Sequence, residues 1–149
     1  MTSLVQRIIN LFYSTNPQLY ERITDKFEVR GARHQLLKNL GIQGGERVIE
    51  IGVGTGKNLI YYPKEAYYIA IDINRRMLVR AVQRAKEFGL YNVEFCLMDA
   101  NNLGFADNSF DVGIATYALS AIPQNARAMS ELERVVRPHG RIGIIDHDY

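Results

Sequence analysis

RVIEIGVGTGK, residues 47–57, carries three signals in a short span. Val48, Ile49 and Ile51 form a β-branched apolar run that predicts a buried strand, and Gly52, Gly54 and Gly56 predict a turn after it. A helix-like segment is predicted from Lys57. Strand, glycine turn and helix together make a ligand cradle. Glycine lets the backbone come close to a ligand and take positive φ, and a helix N-terminus offers unpaired N–H groups to an anionic or polar group.

Spacing narrows the ligand. A phosphate-binding P-loop needs glycine where Ile51 stands and Ser or Thr where Asn58 stands, so it fails twice. A dinucleotide fingerprint started at Gly52 puts its last small position on Lys57, a poor residue where helix and strand must touch. A glycine turn with no ligand leaves the acid Glu50 at the end of a buried strand without a reason. The remaining pattern, Glu50-x-Gly52-x-Gly54-x-Gly56, resembles the first motif of class I S-adenosylmethionine (SAM) methyltransferases.

With 149 residues, 47% hydrophobic and 23% charged, the chain is read as one globular domain, a helical cover over 1–45 and a core over 46–149. A net charge of +2 is too small to imply nucleic acid, and no nucleic-acid partner is expected. The single Cys96 excludes an internal disulfide and lies in a strand-like run, where it reads as a small buried hydrophobe. No apolar run reaches transmembrane length, and Arg7 breaks up the N-terminal apolar residues. The expected location is the cytoplasm, or the membrane periphery. No metal site is expected.

Before the cradle the pattern is helical. Leu4, Val5, Ile8, Ile9, Leu11 and Phe12 predict an amphipathic helix that either covers the site as a lid or lays its apolar face on a membrane. Pro17 opens a second helix running to about Val29, with Leu19, Tyr20, Ile23 and Phe27 on one side. A third, Gly31 to Leu40, turns Leu36, Leu37 and Leu40 inward. Arg22, Lys26, Arg30, Arg33 and Lys38 read as a solvated face, or as cations for an anionic lipid surface.

After the cradle, strands 67–71, 93–97, 110–115 and 141–145 alternate with helices 75–88 and 125–136. This α/β alternation implies a mostly parallel sheet covered on both faces. The connection 98–109 is polar, too short for a good crossover helix, and is expected to line the site. Asp72 ends the second strand and can accept both hydroxyls of a ribose, with Ile73 beside it. Asp99 and Ala100 follow the third strand, where a carboxylate and a backbone N–H can meet an adenine edge; the bland reading of Asp99 is a loop cap.

The series VIEIGVGTG, IDIN, MDANNLGFADNSFDVGIATYALSAIP and ELERVVRPHGRIGIIDH is similar to class I methyltransferases of the methyltransferase type 11 and ubiquinone/menaquinone C-methyltransferase group. Within that group it most resembles the bacterial phosphatidylethanolamine N-methyltransferases. The resemblance implies a Rossmann-like three-layer α/β sandwich with SAM as donor and S-adenosylhomocysteine as product. It implies cofactor contacts from Glu50, Gly52, Gly54 and Gly56, from Asp72, Asp99 and Ala100, and from Thr116, with Glu50 facing the ammonium of the methionine moiety directly or through water. A small-molecule or lipid acceptor is implied, most readily a phospholipid amine. Quinone C-methylation and a non-catalytic SAM-binding role stay open. Displacement at a sulfonium needs alignment more than a nucleophile, and an amine acceptor must also lose a proton. The candidates to assist are Tyr13, Tyr20, Tyr117 and His147, each of which could equally serve packing. His34 reads as a helix-face residue and His139 as a turn residue.

The family adds a helix and two strands after the fifth strand, whereas the match here stops near the last residue, Tyr149. Strand 141–145 is therefore expected at a sheet edge with unpaired backbone groups, covered by a second copy in a homo-oligomer.

Overall fold

The computed structural model describes Leu11 and residues 15–147. The predicted helix over 4–12 and the candidate Tyr13 lie outside these residues, Leu11 apart.

Among the described residues five strands form one sheet: β1 (Arg47–Ile51), β2 (Tyr67–Asp72), β3 (Val93–Leu97), β4 (Phe110–Thr116) and β5 (Val136–Ile145). Their order is β3-β2-β1-β4-β5, and every neighbouring pair is parallel. Among the described residues the α-helices α1 (Pro17–Thr24), α2 (Ala32–Leu40), α3 (Arg75–Glu87) and α4 (Asn125–Val135) accompany them. Strand alternation divides the core in two. Val48, Tyr68, Val112 and Ile114 pack with Leu37 and Leu40 of α2 and Ala81 and Ala85 of α3. Ile49, Ile51, Ile71 and Ala115 pack on the other face with Ala128, Leu132 and Val135 of α4. The expected three layers are present.

Local chemistry sets the boundaries. Asn16 caps α1 by accepting from the Leu19 N–H at 3.0 Å, and Pro17 needs no partner in the first turn. α1 stops at Thr24 rather than near Val29. The Thr24 hydroxyl donates back to the Tyr20 carbonyl at 2.9 Å, and the chain then turns into a loop over 25–31. Phe27, expected on the inner side of that helix, is exposed in the loop. Glu21 of α1 pairs with Arg84 of α3 at 2.7 Å and ties the cover to the core.

The helix predicted from Lys57 is instead a single 3-10 turn, Leu59–Tyr61. Pro63 biases Tyr62 to its extended conformation, so too few residues remain after Gly56 for an α-helix. The connection 98–109 has no helix either. Arg134 holds it by donating to the Leu103 and Phe105 carbonyls at 3.0 and 2.8 Å, while Glu131 accepts from the Leu103 N–H at 2.8 Å. Next to it the β2–β3 part of the sheet is incompletely covered, and Cys96 is half-buried there rather than fully enclosed.

β5 begins at Val136, before the predicted Arg141. Val136 pairs with Phe110, residues 137–140 bulge out with His139 at φ 63°, and pairing resumes at Arg141 opposite Val112. The apolar pattern that predicts this strand covers only the part after the bulge.

Candidate active site

The carboxyl ends of β1, β2, β3 and β4 and the loop over 25–31 enclose a cavity of about 580 Å³. Strand order reverses between β1 and β4, the place where open α/β sheets hold ligands. The volume lies within the roughly 300–1,000 Å³ usual for small-molecule sites.

Gly52 is in the cavity wall at φ +64°, and a Cβ there would stand 2.5 Å from the Ala118 Cβ. The turn can only be this tight without a side chain. Gly56 faces away from the cavity; a Cβ on it would meet Leu59 at 2.6 Å and the Ala81 backbone at 3.2 Å. Its role is to let the loop pack on α3. Gly54 donates its N–H to Asp72 Oδ2 at 2.9 Å, and Asn74 donates to Oδ1 at 2.9 Å. Asp72 therefore ties the glycine loop to the end of β2 while lining the cavity, 2% exposed. A carboxylate is an acceptor-only group, the chemistry that the expected ribose contact requires at this position. Asp99 accepts from the Asn101 N–H at 2.8 Å through Oδ1 and also lines the cavity, so the loop-capping role and an open face coexist. Ile73, Ala100 and Thr116 share the wall.

Glu50 is placed differently from the expectation that it faces the ligand. It points with Val48 into the α2–α3 face, is 2% exposed, and is absent from the cavity wall. Asn58 Nδ2 donates to its Oε1 at 2.6 Å and the Tyr62 hydroxyl donates to Oε2. Burial pushes its carboxyl up to about 8, against the pull of Arg33 and Asn58. Its link to the cavity runs through Asn58, which also donates to Thr116 Oγ1 at 2.9 Å.

Arg33 reverses its predicted role, for it points inward. It makes a two-pronged pair with Glu28, Nε to Oε2 at 2.9 Å and Nη2 to Oε1 at 2.7 Å. Its Nη1 donates to Asn58 Oδ1 at 3.0 Å and Thr116 Oγ1 at 2.6 Å. Lys57 closes the same cluster, reaching Asp25 at 2.7 Å and Glu28 at 3.0 Å. Burial alone would raise the Glu28 carboxyl, but Arg33 and Lys57 hold it below the usual carboxylate range. Arg33, Glu28 and Lys57 all line the cavity, as does Thr55. A sequence signal for Arg33 existed: it stands three, four and seven positions before Leu36, Leu37 and Leu40, on the inward stripe of α2. Glu28 and Lys57 give no such signal.

Two of the proton-handling candidates, Tyr20 and Tyr117, line the cavity. Burial pushes the Tyr20 phenol up to about 12. Tyr117 sits at φ 53°, beneath the Arg33 guanidinium at 4.9 Å, with its hydroxyl accepting from the Val29 N–H at 3.3 Å. The His147 ring lies 4.8 Å from the Tyr117 ring, outside the wall but in contact with it.

Residues 42–149 match the profile of a family described as a methyltransferase domain, which is most of the chain. The chain belongs to the methyltransferase domain family. This methyltransferase domain is 38% identical over 116 residues to a phosphatidylethanolamine N-methyltransferase of Cereibacter sphaeroides, covering 77% of the chain and 57% of the relative. It is 32% identical over 117 residues to a ubiquinone/menaquinone biosynthesis C-methyltransferase of Bdellovibrio bacteriovorus, covering 76% and 49%. A solved SAM-dependent methyltransferase from Aquifex aeolicus matches with a TM-score of 0.69 at 25% identity, over 82% of this chain and 70% of that one. The chain spans about half the length of the curated relatives it matches. The expected family and Rossmann-like fold are borne out.

Proposed function

We propose that this methyltransferase domain binds SAM and transfers its methyl group to the amine of a phospholipid such as phosphatidylethanolamine. The observation that carries the cofactor half is the single wall shared by Gly52, Asp72, Asp99, Ala100 and Thr116, contributed by four separate strand ends. Asp72 would hold the ribose, and Asp99 with the Ala100 N–H the adenine. Bound there, SAM supplies a methyl group on a sulfonium, already activated for displacement. The protein's part is then to bind, orient and exclude water. Tyr20, kept neutral by burial, serves as a hydrogen-bond donor rather than a base. His147, beside Tyr117 of the wall, is the candidate side chain to assist removal of the amine proton.

Two observations support a lipid acceptor. The first is the relationship to a phosphatidylethanolamine N-methyltransferase. The second is the outer face of the cover, where Phe27 is 61% and Val29 72% exposed, flanked by the exposed cations Lys26 and Arg30. Apolar side chains among cations suit the interface of an anionic bilayer. Among the described residues no helix is long and apolar enough to cross a membrane. We also infer that β5, at the end of the sheet, pairs with a second copy of the chain; a purely monomeric species by light scattering at assay concentration contradicts that pairing.

The test is incubation with methyl-labelled SAM and vesicles containing phosphatidylethanolamine, beside a demethylated quinone as the competing acceptor. Label in methylated phosphatidylethanolamine supports the reading. Label in the quinone moves the protein to the C-methylating branch, which the Bdellovibrio relative favours. S-adenosylhomocysteine binding with no labelled product in either acceptor leaves a SAM-binding protein without this transferase activity.

A further inference from the structure

A second cavity, of about 630 Å³, opens at the other end of the sheet from the reaction cavity, where β1, β2 and β3 begin. It is open because the connection 98–109 forms no helix, which leaves the α4 side of β2 and β3 incompletely covered. Strand register fixes what stands on that face. Arg47 pairs with Tyr67 across β1 and β2, and Ile69 pairs with Glu94 across β2 and β3. Paired residues of parallel strands and residues two apart share a face, so all four lie together. Tyr91, just before β3, joins them in the lining.

The groove carries a cation on one flank, an anion on the other and aromatic rings beside them. The Arg47 guanidinium lies over the Phe110 ring at 5.6 Å and donates from Nε to the Ser109 carbonyl at 3.1 Å. Its Nη1 and Nη2 have no hydrogen-bond partner among the described residues, so a held fork keeps its terminal donors for an anion. Glu94 is exposed and pairs with no cation among the described residues. Two strand spacings and two residues separate the Arg47 and Glu94 Cα atoms, roughly 12 Å at about 4.8 Å per strand and 3.3 Å per residue. Tyr67 is 63% and Tyr91 87% exposed. A lone anion would be repelled by Glu94 and a lone cation by Arg47, whereas a ligand with both charges suits both flanks. The rings select the cation. Aromatic faces attract positive charge without offering acceptors for N–H groups, which fits a quaternary ammonium better than a primary one.

We propose that this groove binds a phosphate ester carrying a quaternary ammonium, with the phosphate on Arg47, the ammonium against Tyr67 and Tyr91, and Glu94 as its counter-charge. Where the phospholipid reading above holds, this is the headgroup of the fully methylated product, but binding at the groove does not rest on that reading. Soluble phosphocholine and the headgroup of phosphatidylcholine both offer this chemistry.

Titration of phosphocholine into the full chain, followed by the NMR signals of the Tyr67 and Tyr91 rings, tests it. Saturable shifts of both rings are expected. Phosphoethanolamine and inorganic phosphate, which lack the methylated cation, should bind at least about threefold more weakly. Arg47→Gln should weaken phosphocholine on the order of 10-fold, and Tyr91→Ala about 2- to 5-fold. A urea midpoint close to that of the wild type reports that a variant is folded; should Arg47→Gln unfold, Tyr91→Ala decides. Inorganic phosphate binding as tightly as phosphocholine overturns the proposal. So does phosphocholine affinity unchanged in either folded variant, which moves the ligand to the reaction cavity. Ring signals that move on protein dilution and not with ligand make a second copy the occupant and overturn it as well. Vesicle flotation separates the sources: phosphatidylcholine vesicles held by the wild type and released by Tyr91→Ala support the lipid, and soluble binding without that difference supports the free ester. Phosphocholine at the groove with no S-adenosylhomocysteine binding sinks the SAM reading and leaves this inference standing; the reverse sinks this inference alone.

Discussion

The nucleoside side of the cavity and its cover side are made of different materials. At the β2 tip Asp72 is fixed by the backbone N–H groups of Gly54 and Asn74, and at the β3 tip Asp99 by that of Asn101. Short side chains and main chain define this side. On the cover side long charged side chains meet across the sequence, Arg33 with Thr116 83 positions away and Lys57 with Glu28 29 positions away. The first kind of wall follows from strand ends and turns, and the second exists only after the whole domain has closed. Shape on one side should therefore survive loss of a distant partner, while the other should respond to charge, pH and cover docking.

The sharpest break is expected at Asp72. Asp72→Ala removes the acceptor for two loop N–H groups and the cavity acid together, and S-adenosylhomocysteine affinity measured by calorimetry should fall by about 100-fold. A loss under about threefold would mean that the backbone holds the nucleoside side without it. Next come the glycines, where two neighbours separate space from conformation. Gly52→Ala meets the Ala118 methyl as well as a positive φ, and Gly54→Ala has positive φ with open space. Urea titration should show Gly52→Ala destabilised by about 2–3 kcal/mol and Gly54→Ala by about 1 kcal/mol; equal costs would remove the close-approach explanation.

On the cover side the test is pH. Glu50 has its carboxyl raised from 4.5 to about 8 in the folded protein. Between those values the native state holds a proton that the unfolded chain has released, so this group's contribution is full below about pH 4.5 and declines as pH rises. The slope is at most about 1.4 kcal/mol per pH unit. Glu50→Gln should flatten that decline, gaining on the wild type progressively from pH 5 to pH 8 in denaturant titrations. A constant offset across this range would show that Glu50 stays charged. The smallest effect belongs to Asp25, whose side chain is 63% exposed. Asp25→Asn should shift stability by less than about 0.5 kcal/mol because water screens its pair with Lys57; a larger shift would mark the cover as more tightly clamped than its exposure implies.

These differences explain what could be read in advance. The strand β1, the glycine turn and the acids after β2 and β3 follow local rules, and the structure places Gly52, Asp72, Asp99 and Ala100 in one wall. The end of α1 at Thr24 and the 3-10 turn before Pro63 turn on single side chains competing with a helical pattern. Alternation in β1 already put Glu50 on the face of Val48; resemblance to a motif directed it toward the ligand instead. Glu28 and Lys57 could not be read at all, because their partners lie on other elements and carry no periodicity.

The short link between β1 and β2 carries a consequence for assembly. These central strands pair in register across residues 52–66 with only a 3-10 turn between them. Closing so small a loop forfeits less chain entropy than the longer crossovers elsewhere in the sheet. The binding turn is thus expected to be born with the first strand pair during folding, and pulsed hydrogen exchange should protect Ile49, Ile51 and Ile71 before the amides of β5.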